Sequence, residues 1–126
     1  MNNIASEKYQ IVYLAQPRIF IIRIFGIPDE QDIVRCFQDY EKSVEAHFNN
    51  RDFSFIINVT EEAHSSIMVV RMIRWLLENQ KHRSLIRKIA AVNDNKHKVE
   101  FRNSQTNSNI LPFFSSEEDA IEYIST

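Results

Sequence analysis

Phe53-Ser54-Phe55-Ile56-Ile57-Asn58-Val59-Thr60 is a nearly unbroken run of strand-forming apolar residues that stops at a polar end. Within a few residues come His64-Ser65-Ser66 and then an apolar pattern of helical period. A buried strand that ends polar and re-enters as a capped helix makes an exposed loop over a helix N-terminus, where open α/β sheets usually place their working groups. The stretch therefore predicts a central strand over 53–59, a loop from Thr60 to His64 and a second helix reaching about Lys81.

Upstream, Lys8 to Leu14 alternates Tyr9, Ile11 and Tyr13 against Gln10, Val12 and Leu14, and Arg18 to Phe25 is almost wholly apolar after Gln16-Pro17. Two adjacent strands are expected. Gly26, the single glycine of the chain, ends the second run, and Pro28-Asp29-Glu30 supplies a first helical turn with acids against the helix dipole. Ile33, Phe37, Tyr40, Val44 and His47 or Phe48 then recur at helical spacing, so a helix of about 20 residues should lay one stripe on the sheet.

In the second helix, Val69, Val70, Ile73, Leu76 and Leu77 share one face, and Arg71, Arg74 and Glu78 the opposite one. Met68, Met72 and Trp75 form an i, i+4, i+7 row beside the apolar face, wider than packing on a sheet demands. That row needs a cover. A neighbouring helix of the same domain supplies one, and so does a partner, since Met and Trp are enriched at protein contacts.

Downstream, Ile86 to Asn93 reads as a strand and Ile110 to Phe114 as a short one, placed at a sheet edge by Pro112. Lys96 to Ser108 suits a strand, a short helix or a loop. Ser115-Ser116-Glu117-Glu118-Asp119 is a capping box into a closing helix with Ala120, Ile121 and Ile124 inward. The order is β-β-α-β-α-β-(α or loop)-β-α, which predicts a single α/β domain over 1–126 with a mixed sheet and helices packed on it.

At 126 residues the chain can bury roughly two thirds of its unfolded surface in one core. With 44% hydrophobic and 25% charged residues, nine Phe and four Tyr, it has the composition of a folded globular protein. Its first residues lack a positive segment leading into an apolar one, and the longest apolar run, Ile19 to Phe25, is broken by Arg23. Neither secretion nor a membrane span is expected, and the lone Cys36 fits a reducing cytoplasm. A formal charge of −2 gives no global attraction to nucleic acid. Six Lys/Arg against Glu78 between Arg71 and Lys88 are the one basic concentration, read as a solvated helix edge and loop.

Catalytic signatures are missing. His47, His64, His82 and His97 have no metal-ligand spacing, one glycine cannot build a phosphate-binding loop, and Ser65 beside His64 points away from it at a helix start. No metal or cofactor is expected, and no enzyme activity. Only a carboxylate pair such as Glu61 with Asp94 would revive catalysis.

Arg23-Ile24-Phe25-Gly26, Phe55-Ile56-Ile57-Asn58-Val59 and Phe113-Phe114-Ser115-Ser116-Glu117-Glu118-Asp119-Ala120-Ile121 stand where a STAS domain has its matching elements. The whole chain resembles that family of bacterial anti-sigma-factor antagonists, in particular its divergent sporulation-antagonist-like relatives. In phosphorylated members an Asp-Ser-x-Gly turn opens the second helix, and here that position reads His64-Ser65-Ser66-Ile67. Ser65 falls on the acceptor, with His64 in place of the aspartate and Ile67 in place of the glycine.

The resemblance implies a non-enzymatic, cytoplasmic regulatory module that binds a protein, such as an anti-sigma factor or kinase, and leaves a homodimer open. Asn58, Thr60, His64, Ser65, Ser66, Met68, Arg71, Met72 and Trp75 would form the contact, with Arg74 on the charged rim. A phosphate on Ser65 adds about −1.5 to −2 charges, favoured by the helix terminus and opposed by Glu61 and Glu62. Equally, Ser65 or Ser66 can be a plain N-cap, worth about 1 kcal/mol against alanine. A different reading is a small-ligand or lipid-headgroup pocket between sheet and helices, as divergent relatives resemble lipid-transfer domains.

Overall fold

Length of connection decides the strand directions. Two residues separate Ala15 from Arg18, which permits only a hairpin, whereas the long segments before Phe53 and Ile86 allow parallel crossovers. The computed structural model describes residues 4–5, 8–15, 18–25, 29–48, 51–59, 74–75, 78, 83–93 and 112–125. Its sheet runs in chain order: β1 (Ile4–Ala5), β2 (Tyr9–Ala15), β3 (Arg18–Ile24), β4 (Phe53–Val59), β5 (Ile86–Val92) and β6 (Phe113–Phe114). The first three strands pair antiparallel, and β3 to β6 pair parallel, so the sheet is mixed.

The expected strands at 8–14, 18–25, 53–59 and 86–93 appear within a residue or so of their ends. Of the expected strand over 110–114, Phe113 and Phe114 form β6, with the register Ala91↔Phe113 and Val92↔Phe114, and Ile110 and Leu111 lie outside the described residues. Just before it, the carbonyl of Pro112 accepts the Ala91 N–H at 2.9 Å, a use of proline that needs no donor from it. β1 was not foreseen, because two residues carry no readable period. A register shift between Phe53 and Phe55 sets Ile86 and Ile89 on one face of β5, with Arg87 and Lys88 between them. The segment 96–108 lies outside the described residues.

Helix α1 (Glu30–Phe48) begins two residues later than the Pro28-Asp29-Glu30 turn suggests, because Asp29 is its cap. The Asp32 N–H donates to Asp29 Oδ1 at 2.8 Å while the Asp29 N–H donates to Asp32 Oδ2 at 2.9 Å, a reciprocal box that satisfies two terminal amides. The Asp29 hydrogen bonds, with Lys8 and Arg35 nearby, hold the Asp32 carboxyl below its ordinary range against the opposing effect of burial. Ile33, Cys36, Tyr40, Val44 and Phe48 form the buried stripe. Burial pushes the Cys36 thiol up to about 12, as suits a packing residue.

The sheet is covered on both faces, which is why β4 lacks the polar alternation of a half-exposed strand. Against α1 lie Phe20, Ile22, Ile24, Phe53, Phe55 and Ile57. Phe20 meets Phe48 at 4.8 Å and 74°, Phe53 at 5.6 Å and 78°, and Tyr40 at 5.8 Å and 73°, the edge-on geometry aromatic quadrupoles favour. On the other face Ile19, Ile21, Ile56, Ala90 and Val92 receive Ala120 and Ile124 of α2 (Glu117–Ser125), the expected closing helix. Its cap is Ser116, whose Oγ accepts the Asp119 N–H at 3.2 Å. Of the second helix expected to reach Lys81, Arg74, Trp75 and Glu78 are described, and all three are helical.

Candidate functional site: the carboxyl edge of the sheet

Arg23 is the single charge inside β3, whose other charge, Arg18, is its first residue, and Asn58 is the polar residue near the end of β4. An unpaired charge or amide is costly in so apolar a setting, so each needs a partner nearby. The strand registers place Gln10 beside Arg23, Arg23 beside Asn58, and Asn58 beside Val92. Three polar side chains thus stand in a row across β2, β3 and β4, on the face that α2 covers.

Glu117, the first residue of α2, comes down on that row. Arg23 Nε donates to Glu117 Oε2 at 2.8 Å and Nη2 donates to Oε1 at 2.8 Å, a two-bond fork. Arg23 Nη1 donates to Gln10 Oε1 at 3.0 Å, and the Asn58 amide donates to Glu117 Oε2. Glu117 also lies where an acid complements the helix dipole. The Arg23 hydrogen bonds hold the Glu117 carboxyl below its ordinary range although burial opposes this, and the same bonds raise the Arg23 guanidinium.

Chemically this is a clamp. Glu117 is ionised and fully engaged, which removes it as a general acid or base near neutrality. Arg23 has both edges of its guanidinium occupied, so its fork is closed to another anion. The cluster fastens the start of α2 to the ends of β3 and β4.

Of the contact residues read from the sequence, Asn58 lies in this clamp and Trp75 lies elsewhere. Trp75 is half-buried and stacks on Phe37 of α1, with ring centroids 4.0 Å apart at 16°. The Met68, Met72, Trp75 row thus has, at its described member, a cover from within the chain. Asn58 faces α2 and Trp75 packs on the α1 side, so the sheet separates them. Arg74 is exposed. Thr60, His64, Ser65, Ser66, Met68, Arg71 and Met72 lie outside the described residues, as do Glu61, Asp94, His82 and His97.

His47 stacks on Tyr13 at 3.9 Å and 14°, and burial lowers its imidazole from the ordinary range. Among the described residues no group of three or more His, Cys, Asp and Glu side chains gathers as metal ligands would. Sequence reasoning missed the pairing of Arg23 with Glu117. Its signal was there: a lone cation inside an apolar strand has to meet an anion, and the acids opening α2 were candidates.

Compared with known proteins, the chain matches no family model, no curated protein and no solved structure. Among the described residues no helix is long and apolar enough to cross a membrane.

Proposed function

We propose that the chain is a non-enzymatic, cytoplasmic STAS-like module that binds a protein partner through residues 60–66 and the start of the second helix. The observation that carries this reading is the Arg23, Asn58, Glu117 clamp. It anchors the point where the chain leaves β4, and its groups bond one another instead of standing ready for chemistry. A firmly held edge from which a loop and a helix emerge is how a rigid scaffold presents a recognition segment. Support for the family reading comes from the order of elements: a mixed sheet in chain order, with α1 and Trp75 on one face and α2 on the other.

In this reading Ser65 is the switch, and Arg71 and Arg74 form a rim that selects an acidic surface on the partner. The alternative is a lipid pocket between sheet and helices, for which the described space between α1 and the sheet leaves little room. The rings of Phe20, Tyr40, Phe48, Phe53 and Phe55 interlock in the space between α1 and the sheet.

Co-purification from the native cell tests the proposal, with the retained proteins identified by mass. Ser65→Asp and Arg74→Glu are the informative variants, since Trp75→Ala would also remove the stack on Phe37. One protein retained by the native chain and lost by both variants supports the reading. Retention of the same proteins by all three chains refutes it.

A further inference from the structure

At the opposite ends of the same strands, β3, β4 and β5 bring three charges together. Arg18 Nε donates to the Asp52 carbonyl at 2.6 Å and its Nη2 to the Asp52 carboxylate. Arg87 approaches the other carboxylate oxygen only through Nε, at 3.4 Å, longer than the roughly 2.7–2.9 Å of a charge-assisted hydrogen bond. Two guanidiniums therefore share one carboxylate, and the cluster carries a net positive charge. It rims a cavity of about 170 Å³ closed by Phe53, Ser54 and Ile124.

We infer that this cavity is an oxyanion site for the phosphoryl group of a small phosphomonoester. Asp52 engages Arg87 at Nε, so Nη1 and Nη2 of Arg87 make no hydrogen bond among the described residues and form a planar pair of donors. Arg18 keeps Nη1 beyond its bonds to Asp52, and Ser54, a residue 5% exposed, also lines the cavity. A phosphoryl group brings three acceptor oxygens and more than one negative charge, which matches these donors. A carboxylate brings two oxygens and one charge, the role Asp52 already fills. Ile124 gives the cavity an apolar wall that excludes water from one side and strengthens the attraction. At about 170 Å³ the cavity is well below the roughly 300–1,000 Å³ that holds a drug-sized ligand, so the phosphoryl head enters without a nucleotide.

Asp52 has two effects. It aligns the arginines in the empty site, and it repels the incoming anion, which keeps the affinity moderate. This site is independent of the partner-binding proposal, because the two lie at opposite edges of the parallel strands.

Titration of the 15N-labelled chain with inorganic phosphate and with glycerol phosphate, at constant ionic strength, tests it. Saturating shifts confined to residues 52–54, 87–88 and 124–125 are expected. Arg87→Ala should weaken binding about tenfold, the loss of a charge-assisted hydrogen bond. Asp52→Asn should strengthen it, the reverse of what loss of a structural residue would do. Sedimentation with phosphatidic acid vesicles is the second arm: Arg87-dependent binding there, with none in solution, assigns the phosphoryl group to a membrane lipid. Shifts that rise linearly with either anion together with no vesicle binding overturn the proposal. So does binding that Arg87→Ala leaves unchanged, or that Asp52→Asn weakens in a chain whose melting shows it folded.

Discussion

Arg23 and Glu117, 94 residues apart in sequence, close a two-bond fork of 2.8 Å each between the middle of the sheet and the first turn of the last helix. Roughly two thirds to three quarters of each side chain is withdrawn from solvent, with relative exposures of 31% and 22%. The pair is therefore screened less than a surface salt bridge and stops short of the desolvation penalty of a fully buried one.

Glu117→Ala should destabilise the fold by about 2 kcal/mol, since it strands a half-buried guanidinium and removes the acceptor of Asn58. Urea unfolding of Glu117→Ala, Arg23→Met and the double variant measures this. The double variant should lose less than the sum of the singles, and simple additivity would show that the fork contributes no coupling.

The Glu117 carboxyl sits below its unfolded value in the folded state, so the unfolded chain binds its proton first as the solution is acidified. Its contribution is then complete above the ordinary carboxylate range and is lost as pH falls through the depressed folded value. Asp32, also lowered by the cap at Asp29, acts in the same direction. Stability should fall below about pH 4, and Glu117→Gln should flatten that slope while leaving part of it to Asp32. Equal slopes in the two chains would contradict the assignment.

Phe20→Ala should cost about 3–5 kcal/mol, because the ring is fully buried and touches three other aromatic rings edge-on. Thermal melting read by near-ultraviolet circular dichroism checks it. A loss under 1 kcal/mol would mean the rings repack without a cavity.

Cys36, 1% exposed with its thiol pushed up to about 12, should resist disulfide reagents in the folded protein. Its labelling rate in increasing urea should follow the unfolded fraction. Rapid modification of the native chain would place the thiol at the surface.

Much of the architecture was legible because local chemistry and tertiary packing ask for the same thing. The run 53–59 is apolar on both faces because both faces are covered, and the 3.6-residue recurrence from Ile33 to Phe48 is the stripe α1 lays on the sheet. Ser116 and Asp29 announce their helices through side chains that reach amides a turn away. Period and capping are short-range, and short-range signals survive in a linear text.

The clamp and the amino-edge cluster were not legible as units. Gln10, Arg23, Asn58 and Glu117 lie on four elements, and Arg18, Asp52 and Arg87 on the starts of three strands or just before them. Each is a polar residue whose need for a partner can be read, but whose partner is chosen by strand register and by the angle at which a helix lands. Trp75 carries the same lesson. Its row asked for a cover, from a helix of the same domain or from a partner, and only the position of α1 put Phe37 against it. By itself the sequence determined β2 to β5, α1 and the closing helix and which of their faces turn inward, since burial free energy acts residue by residue along a fixed period. Tertiary structure alone decided which distant charges meet, because a one-residue change of register would send each polar side chain to the other face of the sheet.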